Sequence, residues 1–362
     1  AGPAPAPAAA PPEWGWLRPT VDFRTRYEYR KTGSLKGSNA LTARARIGLL
    51  LGEFHGFSAF GEVEGTYPFV KDYTVSQPGL SPYNPGKSSI PDPENMELNR
   101  AWVQYAAHDA VAKLGRQRII RNNAAFIGNV GWRQNEQTYD ALSAQYGKDD
   151  FEIFYAYSDR AQRIFGDDAR GAAKAFTGDF HMLDGTYQAD FGKLGGYAYL
   201  LDVDNQANVG RSNSFGLHFT RGPLYLEAAY QDCKTALNDK GNYSAWYAHA
   251  KYSHNTTAGT YLGGFEYLQD YFKTPFATVH AFNGFADAVI GNRIGLTDSA
   301  GSYDGISDLD LGYIRRGLPG DITFKAFLHW FLDDGFGKTY GYEADAVAVK
   351  KFNEWSSALL KL

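Results

Sequence analysis

The chain has 362 residues, 44% hydrophobic and 15% aromatic, yet its mean hydropathy is negative and no apolar run approaches the roughly 20 residues that a membrane-spanning helix needs. Forty glycines, 25 tyrosines and 24 phenylalanines beside two methionines disfavour a helix-rich interior, and the single cysteine, Cys233, excludes an intramolecular disulfide. A formal net charge of −4 gives no global attraction to nucleic acid.

The N-terminal residues 1–12 are an Ala/Pro tract interrupted only by Gly2. With no basic or apolar signal region of its own, it reads as a flexible leader over residues 1–13, left after signal-peptide cleavage, ahead of one domain over 14–362. From Trp14 the pattern alternates with period two. Val21, Phe23, Thr25, Tyr27 and Tyr29 form a largely apolar face, opposed by Asp22, Arg24, Arg26, Glu28 and Arg30. Leu41, Ala43, Ala45, Ile47 and Leu49 oppose Thr42, Arg44, Arg46 and Gly48 in the same way. Weaker versions recur around Ile153, Leu217 and Phe324, and no stretch has comparable helical spacing.

Short polar connections separate these strands at 52–56, 107–110, 147–150, 191–194, 220–223, 253–257, 316–321 and 352–354. Longer irregular segments fall between them at 68–95, 161–178, 205–212, 269–305 and 332–338. The expectation is an all-β fold, a transmembrane antiparallel up-and-down barrel with short periplasmic turns and long extracellular loops. Seventeen strands can be counted, the last over 355–362. Bacterial barrels usually have an even number, so the expectation is 18 strands, with a closing strand beyond the given sequence, or 16 if the count is one too many.

Several strings resemble the bacterial alginate export family of outer-membrane proteins. They are Leu114-Gly115-Arg116-Gln117, Phe126-Ile127-Gly128, Trp132-Arg133-Gln134 with Tyr139-Asp140-Ala141, the run His280 to Asp287, and Gly341-Tyr342-Glu343-Ala344-Asp345. The resemblance spans roughly Val21 to the C-terminus and implies an outer-membrane barrel, with export of the anionic polysaccharide alginate in one branch.

In lipid the charged faces must turn to the lumen, because Arg or Lys at the bilayer midplane costs roughly 2–4 kcal/mol. Arg24, Arg26, Arg44, Arg46, Arg100, Arg133, Arg116 and Arg118 are therefore candidate pore-lining residues, and 13 of the 19 arginines precede residue 165. Arg116 and Arg118 share parity with Leu114, so they face inward only if a bulge near Gly115 turns them; otherwise they lie beyond the strand end. Planar guanidinium groups suit carboxylates and stay charged, so successive arginines offer weak sites to a passing polyanion. The plainer reading is that they neutralise lumenal acids, among them Glu62, Glu64, Asp140, Glu343 and Asp345. Phe60, Trp102, Phe154, Tyr225, Tyr247 and Phe327 share the charged faces, as platforms for sugar rings or as lumen filling. The segment 271–289, with His280, Asn283 and Asp287, is a candidate constriction loop or else an exposed loop packed on its own aromatics.

No G-x-S-x-G, H-E-x-x-H or P-loop string is present, so the expectation is a non-enzymatic protein without cofactor or metal. The function read from these features is an outer-membrane channel passing an anionic, alginate-like saccharide, with membrane lipid and periplasmic export proteins as partners. Its alternatives are a porin taking up small anionic nutrients and a plugged structural or adhesive barrel.

Overall fold

The computed structural model describes residues 16–77, 79–236, 240–288, 293 and 305–362; the Ala/Pro leader lies outside them. Seventeen strands follow one another: β1 (Leu17–Arg30), β2 (Ser38–Phe54), β3 (Phe57–Asp72), β4 (Asn95–Ala107), β5 (Ala110–Gln117), β6 (Thr138–Lys148), β7 (Phe151–Gln162), β8 (Ala175–Ala189) and β9 (Gly192–Val203). They continue as β10 (Arg211–Arg221), β11 (Leu224–Thr235), β12 (Gly241–Asn255), β13 (Thr260–Leu268), β14 (Ile306–Leu318), β15 (Ile322–Leu332), β16 (Thr339–Lys351) and β17 (Ser357–Lys361). Each pairs antiparallel with the next, so the sheet is an up-and-down array.

The described residues thus hold neither 18 strands nor 16. With an odd count, β17 leaves the last short turn in the same sense as β1, and no antiparallel ladder joins the two. Inner loops bridge this seam instead. The Ala286 N–H donates to Glu343 on β16 at 2.7 Å, and its carbonyl accepts from Arg30 on β1 at 3.0 Å.

Connections at one end are tight, such as 55–56, 108–109, 149–150 and 222–223, while those at the other are long. That asymmetry sets the tight end toward the periplasm. Side-chain exposure is inverted relative to a soluble protein. Val21 and Leu217 are 75% and 72% exposed, whereas Arg44 and Glu64 are 5% and 1% exposed. Such a surface is stable only where hydrocarbon covers it and the ionic face is inside, so the chain spans a membrane with its strands. Tyr105, Phe191, Tyr252, Tyr261 and Phe352 near the tight end, and Tyr27, Tyr67, Phe69, Trp246 and Tyr342 near the other, form the two exposed aromatic belts expected at its interfaces. The protein is an outer-membrane β-barrel.

Candidate functional site

Two long connections fold into the barrel. They are residues 118–137, between β5 and β6, and residues 269–288, after β13. Each buries apolar side chains there, Ile119, Phe126 and Ile127 from the first and Phe272 and Phe276 from the second. Phe126 packs among Tyr197, Tyr199, Tyr247 and Phe272, with ring centroids 5.0–6.1 Å apart. Phe276 meets Tyr139 at 5.7 Å and Phe180 at 4.8 Å. These rings fill the side of the lumen walled by β6 to β12 and attach both loops there. The loops also bond to each other: Gly128 N–H donates to the Phe276 carbonyl at 2.8 Å, and Thr278 N–H to that of Ala124 at 3.0 Å. Gly128 is required for this approach, since a Cβ there would lie 2.2 Å from Thr278 Oγ1.

The opposite wall, β1 to β4, carries the charge. Its inward face follows from alternation in register: Arg24 stands opposite Arg44, Asp22 opposite Arg46, and Arg46 opposite Glu64. The first loop lays residues 130–137 against this face. Arg24 donates to the carbonyls of Gly131, Trp132 and Arg133, and has no carboxylate within ion-pair distance among the described residues. The Arg26 guanidinium lies 4.4 Å from the Trp132 ring centre, pairs with Glu28 and sits 3.3 Å from Asp92. Arg44 pairs with Asp22 and donates to the Gln134 carbonyl. Arg46 pairs with Glu64 and stands 3.5 Å from Glu136. Arg100 forks onto Glu62 at 2.8 and 2.7 Å, and Asn99 links Glu62 to Glu136. Arg133 reaches Glu28 and Asp287, each at 3.2 Å.

Arg118 lies beyond the end of β5 and forks onto Glu136 at 2.7 and 2.6 Å. Burial works against the Glu136 carboxylate, but Arg118, Arg46 and Asn99 outweigh it and hold its pKa near 2. Gly115 does adopt a positive φ, yet β5 keeps its register, with Arg116 opposite Asp140 and Gln117 opposite Tyr139. Gln117 and Tyr139 take the buried inward face. Arg116 and Asp140 share the other face and fork onto each other at 2.7 and 3.2 Å, which corrects the expectation that this pair lines the pore.

The second loop supplies the remaining candidates. His280 stacks on Trp132 with centroids 4.6 Å apart and Nδ1 2.8 Å from Asp287. Burial drives its pKa down to about 4 despite Asp287, with Lys361 and Arg133 adding to the decrease. Asn283 donates to Glu266 at 2.8 Å and Asp308 at 3.2 Å, beside an Arg293–Glu266 pair at 2.8 Å. Glu343 accepts from Ala286, and Asp345 lies 3.7 Å from His329. The expected constriction segment therefore sits inside the barrel as far as Ala288; Val289 lies outside the described residues.

Around residues 130–137 and the neighbouring 280–287 turn, eight cations (Arg24, Arg26, Arg30, Arg44, Arg46, Arg118, Arg133, Lys361) meet six acids (Asp22, Glu28, Glu64, Asp92, Glu136, Asp287). Glu343 and Asp345 also reach the 280–287 turn, so cations and acids there are close to balance, and within the zone Arg24 meets loop carbonyls rather than a carboxylate. Glu136, Asp92 and Trp132 were not singled out as site residues in the sequence. They lie in irregular loops without periodicity; Trp132 alone had a signal, as part of the Trp132-Arg133-Gln134 string.

The alginate export family matches residues 16–179, so the resemblance read from the residues holds over that part, while the strings at 280–287 and 341–345 lie outside it. No curated protein matches the chain. Among solved structures, OccAB1 of Acinetobacter baumannii superposes with a TM-score of 0.66 at 10% identity, covering 95% of this chain and 89% of its own. OpdK of Pseudomonas aeruginosa, solved with vanillate, gives 0.59 at 11%, covering 95% and 91%. OccK3 of the same organism gives 0.58 at 12%, covering 95% and 90%. At such identities the likeness is one of fold.

Proposed function

We propose that this outer-membrane channel passes small carboxylate-bearing solutes along the basic wall beside Trp132. The observation that carries the reading is Arg24, held on the lumen wall by the carbonyls of Gly131, Trp132 and Arg133 with no carboxylate within ion-pair distance among the described residues, in a row with Arg26, Arg44 and Arg46. All eight cations there are ones that a solute meets already hydrogen-bonded, ion-paired or resting on an aromatic ring. A visiting carboxylate competes for them only in part, and sites of that strength speed entry without trapping. The aromatic filling on the β6 to β12 side favours a small solute over a wide hydrated polymer. Vanillate in the OpdK structure is a solute of this chemical class.

The second reading is passage of an alginate-like chain, aided by periplasmic partners, and the family match over 16–179 favours it. Proteoliposome swelling and planar-bilayer current separate the two. Small ring carboxylates should swell liposomes and block anion-selective current at millimolar concentration, whereas oligouronates should do neither. Block by oligouronates alone would favour the polymer, and the absence of any current would defeat both.

A further inference from the structure

The outer wall is unevenly covered. Between β8 and β16 the outward faces of neighbouring strands bring small residues close together, including Gly196, Ala228, Ala248, Ala250, Gly263 and Ala344. Two troughs result, of about 830 and 780 Å³, which meet at Ala250 and Phe265. Tyr252, Leu311, Leu328 and Trp330 wall the first; Leu194, Leu217 and Phe219 wall the second. Directly outward of Gly263 lies open space, since a Cβ there would meet nothing within 4 Å.

The first trough reaches Leu224, the first residue of β11, beside a tight periplasmic turn. Its cross-strand partner is Arg221, the last residue of β10. Alternation from Leu217 and Phe219 sets Arg221 on the same outward face, where it is exposed and, among the described residues, without a carboxylate partner.

We propose that the periplasmic parts of the two troughs, around Leu224, Tyr252 and Gly263 in the first and Leu194, Leu217 and Phe219 in the second, hold the two acyl chains of one phospholipid of the periplasmic leaflet, with its phosphate on Arg221. The troughs lie within the apolar band, so hydrocarbon is what surrounds them. Two joined apolar channels match the two chains of a diacyl lipid. An unpaired guanidinium at the periplasmic margin has the charge and fork that bind a phosphate. Flexible chains can follow a recessed, curved floor that the convex wall of a second barrel would span without filling. The site is independent of the cargo in the lumen.

Native mass spectrometry of the full chain in detergent, titrated with dioleoyl phosphatidylglycerol, tests this. One lipid should remain bound after mild activation. Gly263→Phe fills the first trough and should lower its retention about fivefold, and Arg221→Gln about tenfold by loss of a charged contact. Ala45→Phe, on the exposed outer face of β2, should leave retention unchanged. Heat-modifiable migration checks folding, and if Gly263→Phe fails to fold, Arg221→Gln decides alone. Equal retention in wild type, Arg221→Gln and Gly263→Phe would overturn the site. So would a dimer, independent of lipid, that Gly263→Phe dissociates.

Discussion

Arg24 and Arg46 face the same lumen wall but differ in what holds them. Arg24 is fixed by loop carbonyls, which orient its charge without cancelling it. Arg46 is enclosed between Glu64 and Glu136, with all three nearly fully buried. Arg24→Gln should therefore lower the chloride-to-potassium permeability ratio, read from reversal potentials, with little change in unfolding. Arg46→Gln leaves two buried carboxylates facing one cation fewer and should cost about 3 kcal/mol, the scale for breaking one side of a buried pair. Urea unfolding monitored by tryptophan fluorescence checks it, and equal destabilisation by both variants would contradict the distinction. The sequence showed that these arginines share a face, because alternation is local. It could not show their partners, since Glu136 arrives from a loop ninety residues along the chain.

At the scale of elements, the strands were legible and the inner loops were not. Period-two patterns in 21–29 and 41–49 fall within β1 and β2, and the expected short connections fall at or near the tight turns. Such signals need only neighbours two residues apart. The 118–137 segment has no period, and its place depends on Phe126 finding rings from β9, β12 and the second loop. His280 gives this packing a pH signature. An exposed histidine titrates near 6.5, and His280 in its folded place near 4. Between those values the unfolded chain binds the extra proton. Folded stability is therefore greater above pH 6.5 and falls, by on the order of 2 kcal/mol, as the pH drops toward 4. The groups facing the ring are Asp287, Lys361 and Arg133, and His280→Gln removes the titration while leaving a hydrogen-bonding amide beside Asp287. The difference in unfolding free energy between wild type and variant should change across pH 4–6.5 and be flat above it. A flat difference throughout would mean that the ring protonates without penalty.

For the whole molecule, net charge and mean hydropathy average over surfaces that never meet. A chain of net charge −4 presents a row of arginines on the inner face of β1 and β2, while its outer wall presents leucine and tyrosine to lipid. The two inner loops organise that region jointly. One is stapled to the other at Gly128, and the second also bridges β16 to β1 through Ala286. The strand ladder requires neither loop, since every strand from β1 to β17 is paired in sequence order. Replacing residues 272–285 by a short Gly/Ser linker keeps the Ala286 bridge across the seam and should leave heat-modifiable migration intact yet raise single-channel conductance several-fold. Anion preference should also weaken, because the 118–137 loop loses its backing against Phe276 and Thr278 and no longer holds its carbonyls against the basic wall. Gly128→Ala, which only pushes the loops apart, should move conductance in the same direction by less. Unchanged conductance in both would place the route through the barrel away from the junction of the loops, and the basic wall beside Trp132 would then be structural.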